Sequence, residues 1–136
     1  MKIVIDTNVV ASAIFFGGRP RQLLEELFLK NIEAFASPEI LMEYKETFEE
    51  LRSRYPDKPV HIPLTQIAAS CKVVTPTQNF RVCRDPDDDK FINCAVEGKC
   101  VYIVSGDKDL LSLEHFHDVE IVTVAEFFSR YMPSPE

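Results

Sequence analysis

Three runs in this chain are apolar without alternation: Ile3-Val-Ile5, Ala34-Phe-Ala36 and Tyr102-Ile-Val104. A strand with one face in water alternates apolar and polar residues, whereas a strand covered on both faces does not. These runs therefore require covering layers on both sides of a sheet, and the intervening segments can supply them. Arg19 to Lys30 places Leu23, Leu24, Leu27 and Phe28 on one helical face. Pro38 to about Arg54 does the same with Ile40, Leu41, Tyr44, Phe48 and Leu51, after a Ser37-Pro38 cap and first-turn proline. Strands that alternate with helices predict an α/β fold, a parallel sheet with helices on both faces.

The remaining segments fit that frame. Val9 to Phe16 reads as a short helix stopped by Gly17-Gly18, and Pro56, Pro59 and Pro63 mark a loop. Leu64 to Cys71 and Asp88 to Glu97 read as helices, the latter ended by Gly98. Lys72 to Thr75 is an edge segment, Val119 to Val122 a last strand, and Thr123 to about Tyr131 a last helix. No repeat or low-complexity linker divides residues 1–136, so one domain is expected. No apolar segment reaches the roughly 18–20 residues that cross a bilayer, and the N-terminus lacks a signal-peptide core. The expectation is a cytoplasmic protein without membrane association. Cys71, Cys83, Cys94 and Cys100 form no C-x-x-C pair, and His61, His115 and His117 do not complete a zinc site. The cysteines read as small buried hydrophobes.

The acids are unevenly distributed. The net charge is -7, and six of the nine aspartates lie between Asp85 and Asp109. Such a balance argues against phosphate binding through a basic surface, but phosphate also binds through metal ions. Asp6 ends the first apolar run, while Asp107 and Asp109 follow the third, after Gly106. Strand ends of a parallel sheet share one edge, where ligands bind, so these acids meet. Packed like charges repel and require a cation.

Helical phase sorts the other candidates. Asp88 precedes Phe91, Ile92 and Ala95 by three, four and seven residues, which centres it on the buried stripe. A carboxylate there is costly unless paired, and a ligand role is compatible with capping the helix. Asp89 falls about 100° away, and with Asp85 and Asp87 it reads as a loop, cap or surface charge. Glu46 and Glu49 face solvent, whereas Glu43 and Glu50 lie on the stripe's edge. Glu43 is about 8 Å along the helix, near the sheet edge, and Glu50 about 10 Å farther. Glu43 is the better candidate.

Four segments in order carry a resemblance: Ile3-Val-Ile-Asp-Thr-Asn-Val9, Ser37-Pro-Glu-Ile-Leu-Met-Glu43, Asp85-Pro-Asp-Asp-Asp-Lys-Phe91 and Ile103-Val-Ser-Gly-Asp-Lys-Asp-Leu-Leu111. Together they resemble the PIN-domain family, specifically the small prokaryotic PIN proteins of toxin–antitoxin pairs. The resemblance implies a three-layer α/β/α sandwich and acidic ligands at Asp6, Glu43, Asp88 and Asp107, with Asp109 nearby. It also implies supporting roles for Asn8 and Ser105, and it places Asp89 where close relatives commonly have asparagine. Mg²⁺- or Mn²⁺-dependent cleavage of RNA, homodimers or higher homo-oligomers, and an antitoxin partner are the functional expectations that follow.

Oxygen-only ligands suit Mg²⁺ or Mn²⁺ on chemical grounds alone. Arg19, Arg21, Arg81, Arg84 and Lys108 flank strand ends and loops and are candidate RNA contacts, or ordinary surface charges. Leu27 and Phe28 could pair subunits, or pack in the core. Two other readings stand beside the nuclease. One is a phosphatase or receiver-type domain, although position 8 is asparagine where a phosphatase would carry a second aspartate. The other is a non-catalytic RNA- or protein-binding module, against which stands the presence of all four acids.

Overall fold

The computed structural model describes residues 1–131. Its centre is a six-stranded sheet in the order β3-β2-β1-β4-β6-β5. The strands are β1 (Lys2–Ile5), β2 (Glu33–Ala36), β3 (Cys71–Val73), β4 (Tyr102–Val104), β5 (His115–Phe116) and β6 (Val119–Val122). The helices are α1 (Thr7–Phe15), α2 (Gly18–Phe28), α3 (Pro38–Arg54), α4 (Leu64–Ser70), α5 (Asp89–Glu97), α6 (Lys108–Leu111) and α7 (Val124–Tyr131). All strand pairs are parallel except β5 with β6. Ile3 pairs with Ala34 on one side and Tyr102 on the other, so the three unalternating runs lie side by side. Ile3, Val4, Ala36, Ile103 and Val104 are fully buried, as strands covered on both faces must be.

Chain order sets the position of the site. From β1 the chain winds outward through β2 to β3, then returns by α5 to lay β4 on the other side of β1. The winding reverses between β1 and β4, and at such a switch point the helices diverge to leave a crevice at the carboxyl ends of the strands. The residues that leave those two strands are Asp6 and Ser105. Asp6 N–H bonds the Val104 carbonyl at 2.9 Å, which ties the two exits together.

Most expected elements are present, with local shifts. Helix α1 begins at Thr7, and the turn into α2 passes through Gly17 and Gly18 with φ of +84° and +68°, conformations that suit residues without a Cβ. Gly98 ends α5 for a different reason, because a Cβ there would come 2.8 Å from the Phe35 ring. The expected helix from Asp88 instead opens with a 3-10 turn at Pro86–Asp88, with α5 starting at Asp89. Helix α6 and the antiparallel pair β5–β6, with His115 opposite Glu120, were not expected from the apolar pattern.

Leu27 is buried and Phe28 packs against the core, so this face serves the interior. Cys94 and Cys100 are buried as expected, while Cys71 and Cys83 are half-buried. Among the described residues no helix is long and apolar enough to cross a membrane.

Candidate metal centre

The sheet's switch point gathers the acids. Asp6 is buried directly beyond β1, and Ser105, fully buried beyond β4, donates its hydroxyl to Asp6 Oδ2 at 2.6 Å. The same Ser105 Oγ accepts from Asp107 N–H at 2.9 Å, so one side chain holds two acids in register. Asp107 Oδ1 in turn accepts from Asp109 N–H at 2.8 Å and caps α6. Burial raises the Asp6 carboxyl above its ordinary range; the Ser105 bond opposes this, and the Asp107 and Glu43 charges add to the rise.

Glu43 comes in on α3. Tyr44, the next residue, is buried and donates its hydroxyl to the Ile5 carbonyl, which fixes this turn of α3 against the end of β1. Glu43 Oε1 accepts from the Thr7 hydroxyl, and Oε2 meets Lys90 Nζ at 2.5 Å. Lys90 also reaches Asp87 Oδ1 at 2.9 Å. Its side chain is only 6% exposed. Burial pulls the ammonium pKa down, but the two carboxylates outweigh this and hold it raised.

Asp88 is the least satisfied of these acids. It is 7% exposed, its side chain caps nothing, and its Oδ2 has no hydrogen-bond partner. Burial pushes its carboxyl up to about 7, helped by Asp107, then Asp6, then Asp85 and Asp87. Asp6 and Asp107 thus act on Asp88 as like charges.

Not every candidate joins them. Asn8 is exposed, and Thr7 beside it makes the contact with Glu43. Asp109 turns outward to Arg84, at 3.4 Å. Arg81 lines a polar depression with Asn79, Asp89 and Lys90, and Lys108 is exposed directly after Asp107. Arg19 instead lines a depression with Gln22, Glu25, Glu26 and Phe128, and half-buried Arg21 lies two residues along α2.

The expectation that Asp89 is a surface charge is wrong. Asp89 is buried, and its Oδ1 accepts from Val82 N–H at 3.0 Å and Cys83 N–H at 2.8 Å. One turn on, Asn93 bonds both the Phe80 N–H, at 2.7 Å, and the Phe80 carbonyl, at 3.2 Å. A further turn on, Glu97 accepts from Thr77 at 2.8 Å. Residues spaced by four on α5 thus stitch the 77–83 segment along the helix. The sequence signal was available in the polar spacing Asp89, Asn93, Glu97. Lys90 was missed as well, because a lysine in an acidic run reads as solvated.

Among the described residues no three His, Cys, Asp or Glu side chains stand close enough to form a finished metal cage. Most of these acids are turned to protein donors instead. The donor set is nevertheless all oxygen and dominated by carboxylates, the chemistry that suits hard divalent cations. Asp88 Oδ2, buried and unpartnered, is the atom such a cation would satisfy.

A family model described as PIN domain matches residues 2–109. MJ1680, an uncharacterized protein of Methanocaldococcus jannaschii, is 41% identical over 117 residues, covering 83% of this chain and 75% of that protein. No solved structure matches. PIN domains are generally metal-dependent nucleases. The family match opens on β1 and closes on Asp109, so it takes in both sides of the switch point and every acid gathered there. The chain belongs to the PIN-domain family.

Proposed function

We propose that this protein is a Mg²⁺- or Mn²⁺-dependent endoribonuclease that hydrolyses RNA phosphodiester bonds. The observation that carries the reading is Asp88 Oδ2, a buried carboxylate oxygen without a partner in the field of Asp6 and Asp107. Asp6, Asp88 and Asp107 would hold the ion, with Glu43 on the α3 side and Asp109 at the rim. A divalent cation bound there would supply positive charge against the scissile phosphate and acidify the attacking water. The chain's own residues supply the geometry. Ser105 fixes Asp6 and the Asp107 backbone, and Tyr44 sets the approach of α3. Arg84, which pairs with Asp109, Lys108, which follows Asp107, and Arg81, which lines a depression with Lys90, would contact a passing phosphate backbone. The thiols of Cys94 and Cys100 are buried and pushed up to about 12, which makes them poor nucleophiles.

Hydrolysis by water leaves a 5′-phosphate and a 3′-hydroxyl. The test is cleavage of a mixed-sequence RNA with Mg²⁺ or Mn²⁺, with and without chelator, in wild type, Asp88→Asn and the exposed-site control Glu46→Gln. Chelator and Asp88→Asn should abolish cleavage, and Glu46→Gln should leave it intact. Products ending in 2′,3′-cyclic phosphate would refute the mechanism. In the narrower reading the nuclease is a toxin, assembled as a homodimer or higher homo-oligomer and held inactive by an antitoxin protein in the cytoplasm. Growth arrest on expression, relieved by Asp88→Asn, tests that reading.

A further inference from the structure

We propose that Lys90 is a built-in counter-cation, which keeps Glu43 outside the metal ligand set as a positioning residue and limits the site to one divalent ion. The inference rests on the metal-dependent reading above and concerns the stoichiometry of that site.

Lysine is almost never fully buried unless paired. Here the paired group is Glu43, whose Oε2 lies 2.5 Å from an ammonium that is nearly sealed from solvent. The other oxygen of Glu43 accepts from Thr7. Each oxygen of Glu43 thus already accepts one donor, and a metal ion bound there would compete with the hydroxyl and stand beside a buried ammonium of like charge. Breaking a buried ion pair leaves an uncompensated charge and is strongly unfavourable.

Asp88 poses no such obstacle, because Oδ2 has nothing to displace. Among the described residues, Asp6, Asp88 and Asp107 take part in no ion pair, whereas Glu43 and Asp87 share Lys90. Three unpaired carboxylates are matched to a single divalent ion. Two such ions about 4 Å apart repel and need more negative charge around them than one ion does. With Glu43 neutralised by Lys90, the α3 side lacks the free acid that a second ion would require.

Calorimetric titration of the full chain with Mn²⁺, without RNA, tests the proposal. Wild type should bind one ion per chain. Glu43→Gln, which retains an acceptor for Thr7 and leaves Asp87 to partner Lys90, should change that affinity by less than about threefold, because ligand charge at the ion is unchanged. Lys90→Gln releases a full carboxylate and should bind Mn²⁺ about tenfold more tightly or take up a second ion. Lys90→Arg should restore wild-type binding. A lysine that served only to stabilise the fold would weaken Mn²⁺ binding when removed, the opposite sign.

The proposal is overturned if Glu43→Gln loses Mn²⁺ affinity by tenfold or more, or if wild type binds two ions. If Lys90→Gln does not fold, the Glu43→Gln arm decides alone. Wild type that binds no Mn²⁺ would overturn the metal-dependent reading along with this inference.

Discussion

Asp88→Asn should make this protein more stable at neutral pH while removing its activity, and the size of the effect follows from the site. The Asp88 carboxyl is pushed from its ordinary 3.8 up to about 7, first by burial and then by Asp107 and Asp6. Each tenfold change in proton affinity is worth about 1.4 kcal/mol, so the full penalty for carrying the charge is about 4 kcal/mol. Water at the mouth of the crevice screens part of it, and an expectation of about 2 kcal/mol is reasonable. For a chain of this size that is a rise in Tm of about 6 °C.

The sign fixes the pH window. Because the folded-state value is raised, the favourable contribution of neutral Asp88 is complete below 3.8 and lost as the pH rises through about 7. Wild type should therefore lose stability relative to Asp88→Asn across that interval, and the two should converge in acid. Scanning calorimetry in chelator at steps between those pH limits provides the measurement. Adding Mn²⁺ should raise the wild-type Tm and leave the variant nearly unchanged. Equal Tm values at neutral pH, or a difference that does not vary with pH, would show that Asp88 carries no buried charge penalty and would refute the reasoning.

Ser105→Ala removes the donor to Asp6 and the acceptor for Asp107 N–H. It should cost about 1–3 kcal/mol in urea unfolding and lower cleavage more than Asp109→Asn, whose side chain points to Arg84. Asn93→Ala strands both backbone groups of Phe80, and hydrogen exchange should accelerate across residues 77–83 while β1 and β4 stay protected. Tyr44→Phe keeps the packing but deletes the bond to the Ile5 carbonyl, for a loss of about 1–2 kcal/mol by denaturant titration. Phe127→Ala, at a fully buried ring stacked with Tyr131, should cost about 3–5 kcal/mol and would expose a misjudged core if it cost less than 1.

The central strands were legible because an unalternating run such as Ile3-Val-Ile5 has one comfortable environment, a sheet covered on both faces. Helical phase also put Asp88 and Glu43 near the apolar stripe of their helices, and the structure buries the first and half-buries the second. Helical phase does not reveal the burial of the next residue, Asp89. Phase was measured against the sheet-facing stripe alone, and the other side of α5 is covered by the 77–83 segment, so Asp89 is buried by backbone that no apolar periodicity announces. Lys90 escaped notice because its burial depends on Glu43, a residue far away in sequence. Thr7 meets Glu43 and Asn8 faces solvent because α1 starts at Thr7, earlier than the apolar run suggests. Strand β5 spans only His115–Phe116 and has no pattern long enough to read.

The most direct measurement is anomalous diffraction from crystals soaked in Mn²⁺. An anomalous peak bounded by Asp6, Asp88 and Asp107, with Asp88 Oδ2 among its contacts, is the predicted result. Carboxylates left apart with no peak between them, in crystals where Mn²⁺ binds elsewhere, would contradict the account.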